Sequence, residues 1–214
     1  MGHLSQQVHE AYHDAPHEKR TGYLGMWAFL SSEILFFGAF FLAYTVIRSY
    51  HLEGFREAAS ELSLFWGTLN TAVLLVSSYL IAFGEKALEA RKMKAGLWSW
   101  GCAAFLGVVF LAIKLYEYWE KAHKHHIPGL DFKAEDFEHP HSAELFQFLY
   151  FSMTGLHAFH LFVGICWIGG MVWWFRSRKG RVIQPTYVTC AALYWHFVDL
   201  VWVFLYPLLY LIRA

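Results

Sequence analysis

Apolar residues in this chain gather into long runs rather than alternating with polar ones. Crossing the hydrocarbon layer of a bilayer takes about 20 such residues in a helix. Five runs are long enough: about Tyr23 to Arg48, Leu62 to Gly84, Gly96 to Trp119, Ala143 to Phe175 and Tyr187 to Ile212. In lipid each backbone N–H and C=O must be satisfied inside the protein, so these runs are expected as helices. The short alternating strands of a barrel are not in the sequence. The pattern predicts an all-α integral membrane bundle of five transmembrane helices over residues 23–214. A polar tail at 1–22 precedes it, and a polar loop at about 120–144, with Pro128, Gly129, Pro140 and several histidines, interrupts it.

Composition agrees. Apolar residues make up 57% of the 214 and charged residues 16%, against about a quarter charged in soluble domains. Aromatics reach 20%, and membrane interfaces favour the amphipathic rings of Trp and Tyr. The formal charge is zero, which argues against nucleic acid as a partner, because phosphate binding needs a basic surface. Met1 to Thr21 has neither the apolar core nor the small-residue cleavage site of a secretory signal, so the first span is expected to target the chain as well. Cys102, Cys166 and Cys190 lie in apolar runs without a CxxC pair and are expected to pack as small apolar groups. A Gly-rich phosphate loop, a G-x-S-x-G elbow and a zinc-type Cys cluster are all lacking, so no catalytic or metal-binding residue is assigned.

Lys and Arg set the orientation. One side of a five-span chain receives Lys19, Arg20, Lys86, Arg91, Lys92, Lys94, Arg176, Arg178, Lys179 and Arg181. The other receives Arg48, Arg56, Lys114, Lys121, Lys124, Lys133 and Arg213, among more acids. The positive-inside rule then puts the N-terminus in the cytoplasm and the C-terminus in the periplasm.

Charges inside a span are costly and mark function by default. Glu33 and Asp199 fall there, with Asn70, His157, His160 and His196. The six are expected to form a buried polar network, Glu33 buried and Asp199 paired with His196 or His160. His157 and His160 share one helix face, as do His196 and Asp199. Such pairs suit a metal or haem but supply too few matched ligands for an ordinary zinc site. Lys114, Glu117 and Lys121 are spaced as ion pairs along a solvated helix end, with Tyr116, Tyr118 and Trp119 as interface anchors. Gly155, Gly164, Gly169 and Gly170 are small residues that let a neighbouring helix approach.

Four segments carry a family resemblance. Tyr194-Trp-His-Phe-Val-Asp199-Leu-Val-Trp202-Val-Phe resembles the last helix of subunit III of the haem-copper oxidases, the cytochrome c oxidase family. Trp27-Ala-Phe-Leu-Ser-Ser-Glu33-Ile-Leu-Phe-Phe is similar to the helix bearing that family's membrane glutamate, and Asn70-Thr-Ala-Val-Leu-Leu-Val-Ser-Ser to the helix after it. Thr154-Gly-Leu-His157-Ala-Phe-His160-Leu-Phe-Val-Gly164 resembles the penultimate helix. The four follow the family's order across nearly the whole sequence. Longer members have seven spans; this sequence opens at the glutamate helix, as the five-helix bacterial form does.

The resemblance implies a non-redox accessory subunit in the bacterial cytoplasmic (inner) membrane. It would belong to an enzyme that reduces oxygen to water and pumps protons. Haem and copper would sit in partner subunits, with none in this chain. It would pack on subunit I, with subunit II, cytochrome c and other respiratory complexes as further partners. It would also bind phospholipid and support proton uptake and active-site integrity. Arg176 and Lys179 best match the family's lipid-phosphate cations, with acyl chains running towards Glu33 and His157; the absent helix pair would leave that cleft open. Arg178 and Arg181 would serve topology. The Lys114/Glu117/Tyr118 run and the long loop favour the cytochrome c type over a quinol oxidase or a nitric oxide reductase-associated homologue. An independent metal or haem protein and a small transporter stay open as other classes.

Overall fold

The computed structural model describes residues 15–123, 126–128, 131–132, 135, 137–177 and 185–212, with side chains from Thr21 onward except at 126–127 and 131–132. Five helices in it are long and apolar enough to cross a membrane. They are α1 (Ala15–Tyr50), α3 (Leu64–Glu89), α4 (Met93–His123), α5 (Pro140–Ser177) and α6 (Pro185–Tyr210). Each overruns its apolar stretch at one end at least, because a helix that satisfies its own backbone continues into the headgroup layer, while α3 starts and α6 ends two residues inside the expected run. Thus α1 reaches back to Ala15, into the stretch expected as tail.

Two elements were not expected from the hydrophobic pattern. A short helix α2 (Leu52–Ser60) follows α1. The loop after α4 carries a two-strand antiparallel pair, β1 (His126–Ile127) and β2 (Asp131–Phe132). Helix α2 is amphipathic and buries Phe55, Ala58 and Ala59. It is clipped to the start of α5 by Glu57, whose carboxylate accepts the backbone N–H groups of Glu138 at 2.7 Å and His139 at 3.2 Å. Those donors precede the Pro140 that opens α5, a position where proline costs nothing because its missing N–H would have no intrahelical partner. His51 Nδ1 meets Ser142 Oγ at 2.9 Å and closes the same joint.

Helix α6 is the centre of the bundle. Its most apolar window is 67% buried against 17% for α1. It packs on α3, α5 and α1, while α4 closes the ring between α3 and α5. Trp195 Nε1 donates to Ser77 Oγ at 3.1 Å and Trp202 Nε1 to Thr71 Oγ1 at 3.0 Å, tying α6 to α3. Both hydroxyls spend their own hydrogen on a carbonyl of their helix, Leu74 for Ser77 and Gly67 for Thr71, so the indoles take free lone pairs. Tyr44 of α1 donates at 2.6 Å to the carbonyl of Leu208, one of the last four in α6 that lack an intrahelical partner.

The α3–α4 turn is the tightest joint. Arg91 takes φ 58°, and the N–H groups of Arg91 and Lys92 bond back to Leu88 O at 3.0 Å and Ala87 O at 2.8 Å, closing α3 in a Schellman motif. Beyond it Gly84 and Gly96 face each other. A Cβ on Gly96 would lie 2.5 Å from Leu88 Cγ and 3.1 Å from the Gly84 carbonyl. Gly96→Val is expected to cost about 1–3 kcal/mol through overpacking. Gly101→Ala, where a Cβ meets nothing within 4 Å, is expected to keep or slightly raise stability, since Ala favours a helix interior over Gly. Thermal unfolding of the two variants in detergent checks this; equal midpoints would show that the joint tolerates bulk.

Candidate functional site

Polar side chains at membrane depth fall into three groups rather than the single network expected.

The first joins α1 to α5. His160 Nε2 lies 3.1 Å from Glu33 Oε2, with the side chains 14% and 18% exposed. The other ring nitrogen, Nδ1, sits 2.8 Å from the Leu156 carbonyl and must donate to it. In a neutral ring Nε2 is then an acceptor, so a hydrogen bond between Nε2 and the carboxyl needs a proton held by the pair. Phe37 packs edge-on against the imidazole at 5.3 Å between centroids. The pair sits on the flank of the bundle, near the middle of both spans.

The second joins α3 to α6. Ser78 Oγ meets His196 Nδ1 at 2.7 Å. Asp199, one turn on, is 4% exposed. Neither of its oxygens forms a hydrogen bond, although the Ser78 hydroxyl faces it. The expected pairing of Asp199 with His196 or His160 is not formed, because His196 turns to Ser78 and His160 to Glu33.

The third lies towards the C-terminal ends of α4 and α6 and the N-terminal end of α5, and it corrects the expectation of a solvated helix end. Lys114, Glu117 and Lys121 are 2%, 5% and 6% exposed. Lys114 Nζ donates to Glu117 Oε2 at 2.7 Å and to Tyr210 Oη at 2.5 Å. Tyr210 Oη is 3.2 Å from both Glu117 oxygens, so the three close a ring. The ammonium stands 4.7 Å from the Trp202 ring centroid and 5.0 Å from that of Tyr210, where an aromatic face attracts a cation. Lys121 donates to Gln147 Oε1 at 3.3 Å. Tyr118 donates to Thr154 Oγ1 at 2.5 Å, the threonine hydrogen being given to Tyr150 O. Of the three expected anchors, only Tyr116 and Trp119 face outwards. Spacing of i,i+3 cannot separate a buried pair from a solvated one; the aromatic partners on other helices decide it.

Asn70 and His157 belong to none of these groups through hydrogen bonds. Both are fully buried, His157 between the rings of Phe110 at 5.5 Å and Trp202 at 5.2 Å. At 1% exposure His157 lines no surface that an acyl chain touches. Arg176 is exposed in the last turn of α5. Lys179, with Arg178 and Arg181, lies outside the described residues. Among the described residues no group of three or more His, Cys, Asp or Glu side chains is placed to hold a metal. Of the glycines, Gly164 packs on Tyr194 and Trp195 inside the bundle, whereas a Cβ added at Gly155, Gly169 or Gly170 would meet nothing within 4 Å.

A sequence profile described as cytochrome c oxidase subunit III matches residues 5–213. Cytochrome c oxidase subunit 3 of Thermostichus vulcanus is 36% identical over 195 residues, covering 88% of this chain and 86% of that protein. The same subunit of Alkalihalophilus pseudofirmus is 31% identical, covering 91% and 88%. Cytochrome bo(3) ubiquinol oxidase subunit 3 of Pseudomonas aeruginosa is 30% identical, covering 99% and 96%.

The Lys114–Glu117–Tyr210 ring yields a prediction. Removing one member of a buried ion pair strands its partner and costs about 3–5 kcal/mol, whereas replacing both by apolar groups is close to neutral. Glu117→Leu should therefore lower the thermal midpoint sharply, and Lys114→Met with Glu117→Leu should recover most of the loss. If the double variant were as unstable as the single, the charges would not be acting as a pair.

Proposed function

The chain belongs to the cytochrome c oxidase subunit III family, and from that premise we propose that it serves its oxidase without a redox centre of its own. It is a multi-pass bacterial membrane protein and subunit III of a haem-copper oxidase. In our reading it packs on subunit I, which with the other partner subunits holds the haem and copper, and adjoins subunit II. It binds phospholipid and supports proton uptake and active-site integrity. The N-terminus is cytoplasmic and the C-terminus periplasmic, which puts the cation-rich ends of α3 and α5 inside. The donor is cytochrome c, which the similarity to the Thermostichus vulcanus subunit favours; the Pseudomonas aeruginosa relative gives a ubiquinol oxidase as the second reading.

The observation that carries the lipid part is one of depth along the spans. Glu33 and His160 sit half-open near the middle of their spans, and Arg176 is exposed at the inner end of α5. Arg176 is about 24 Å from His160 along the helix axis, beyond the roughly 15 Å half-thickness of the hydrocarbon. A phosphate held by Arg176, whose planar fork donates two hydrogen bonds at once, therefore suits acyl chains that end near Glu33. His157 stands behind this wall and shapes it through packing.

Two outcomes are expected. A tag on this chain, in mild detergent, should bring down a haem-bearing partner together with anionic phospholipid. Native mass spectrometry should then show selective loss of that lipid when Arg176→Ala is combined with Lys179→Ala; equal retention would contradict the lipid site. For Glu33 the reading is structural. Glu33→Gln still offers a hydrogen bond to His160, so assembly and the proton-to-electron ratio should both match wild type. An intact complex that no longer pumps would make Glu33 a proton carrier instead.

A further inference from the structure

Helix α6 is enclosed on most sides but open along one stripe. Helices α1 and α3 flank it and make little contact with each other. Between them Leu200, Val203 and Phe204 of α6 are 52%, 41% and 54% exposed, although α6 is the most buried of the spans. His196 lies on this stripe, partly exposed, near the middle of α6. Its Nδ1 is engaged by Ser78, and its Nε2 opens onto the groove without a hydrogen-bond partner among the described residues. Ser78 has one hydrogen. If Ser78 gives it to Nδ1, Nε2 is left a donor; if Nδ1 donates to Ser78, Nε2 is an acceptor. Either way one hydrogen-bonding ring atom faces out of the bundle. Tyr79, on the next position of α3, is 69% exposed at the same depth. Further along the seam Tyr206 Oη and Thr68 Oγ1 meet at 2.7 Å, with Thr68 exposed.

The outer face of α4 is the contrast. Beyond Met93 in its first turn, Trp98, Phe105, Val108, Leu115, Tyr116 and Trp119 are its large exposed hydrophobic side chains, apolar in the middle with Trp and Tyr towards the ends. That is the face hydrocarbon and its two interfaces call for. The seam of α3 and α6 is the opposite, since it shows an imidazole and a phenol at mid-membrane. Lipid cannot satisfy them. Acyl chains carry no donor or acceptor, and headgroups lie about 15 Å from the midplane. Polar side chains in spans face protein or a water-filled cavity.

We propose that the groove between α1 and α3, floored by the Leu200–Phe204 stripe of α6, receives a transmembrane helix of a different polypeptide of the oxidase. That helix carries a hydrogen-bonding side chain opposite His196. The proposal rests on the assembly reading above and names the face and the contact through which assembly occurs.

The test uses the whole oxidase complex purified through this chain. A benzophenone amino acid is placed at Tyr79 or Leu200, and at Phe105 or Val108 as controls, and the membranes are irradiated before purification. Positions 79 and 200 should cross-link to a larger membrane chain, and positions 105 and 108 to lipid. Lipid adducts alone at 79 and 200, in a complex that retains its haem-bearing partner, would overturn the groove and leave the assembly reading standing. Adducts to a second copy of this chain would overturn it as well. Failure of wild type to bring down any partner would overturn the assembly reading itself. In parallel, His196→Leu should weaken retention of the chain in the complex by about threefold to thirtyfold, the range for one hydrogen bond between helices in a membrane. His196→Gln should stay within about twofold of wild type. Wild-type retention by His196→Leu would sink the proposed contact.

Discussion

Hydrocarbon offers no hydrogen bonds, and nearly every particular of this protein follows from where its polar atoms go instead. The backbone solves the problem by helix formation. Side chains solve it by pairing across helices, and those pairs fix the bundle's geometry. Indole N–H groups of α6 reach hydroxyls of α3 that have already spent their own hydrogen. The Tyr44 hydroxyl satisfies an orphan carbonyl at the end of α6. The Lys114–Glu117–Tyr210 ring holds a cation and a carboxylate together within aromatic walls. Apart from Lys114–Glu117 within α4, each contact crosses between helices far apart in sequence, so together they define one arrangement in a medium where apolar packing discriminates little between partners.

The same constraint separates the surfaces. Apart from Asn70, His157 and Asp199, which are buried without hydrogen bonds, the polar groups singled out at membrane depth gather on two faces. One is the Glu33–His160 flank, which the lipid reading uses. The other is the seam around His196, which we assign to a partner helix. The face of α4 needs neither. A subunit whose place is beside a larger one can leave such groups unsatisfied on its own, because assembly satisfies them.

Five spans were legible in the sequence because an apolar run of about 20 residues has one dominant solution in a bilayer. Asn70, His157 and Asp199 were legible as inward groups because each is polar inside such a run, whereas Glu33, expected to be buried, lies partly exposed with His160 on a flank, and His196 is partly exposed too. The pairing of these groups was not legible. Asp199 was expected to meet a histidine, but which histidine turns where depends on helix rotation, which sequence spacing leaves free. Ser78 was invisible as His196's partner, since a serine in a span most often bonds its own helix. Lys114 and Glu117 were misplaced for a related reason. Their spacing belongs equally to a wet helix end, and the partners that bury them, Trp202 and Tyr210, lie about 90 residues later. Helix α2 escaped because nine residues of low mean hydropathy hide an amphipathic face.

The central claim is that polar groups at membrane depth are covered by polypeptide, within the chain or across an interface. A cryo-electron microscopy map of the assembled oxidase, resolved well enough to place side chains and ordered lipid, tests it most directly. A helix of another subunit should lie within hydrogen-bond distance of His196 Nε2, with lipid chains against Phe105 and Val108 of α4. Lipid chains lying against His196, with the neighbouring subunit packed instead on α4, would contradict it.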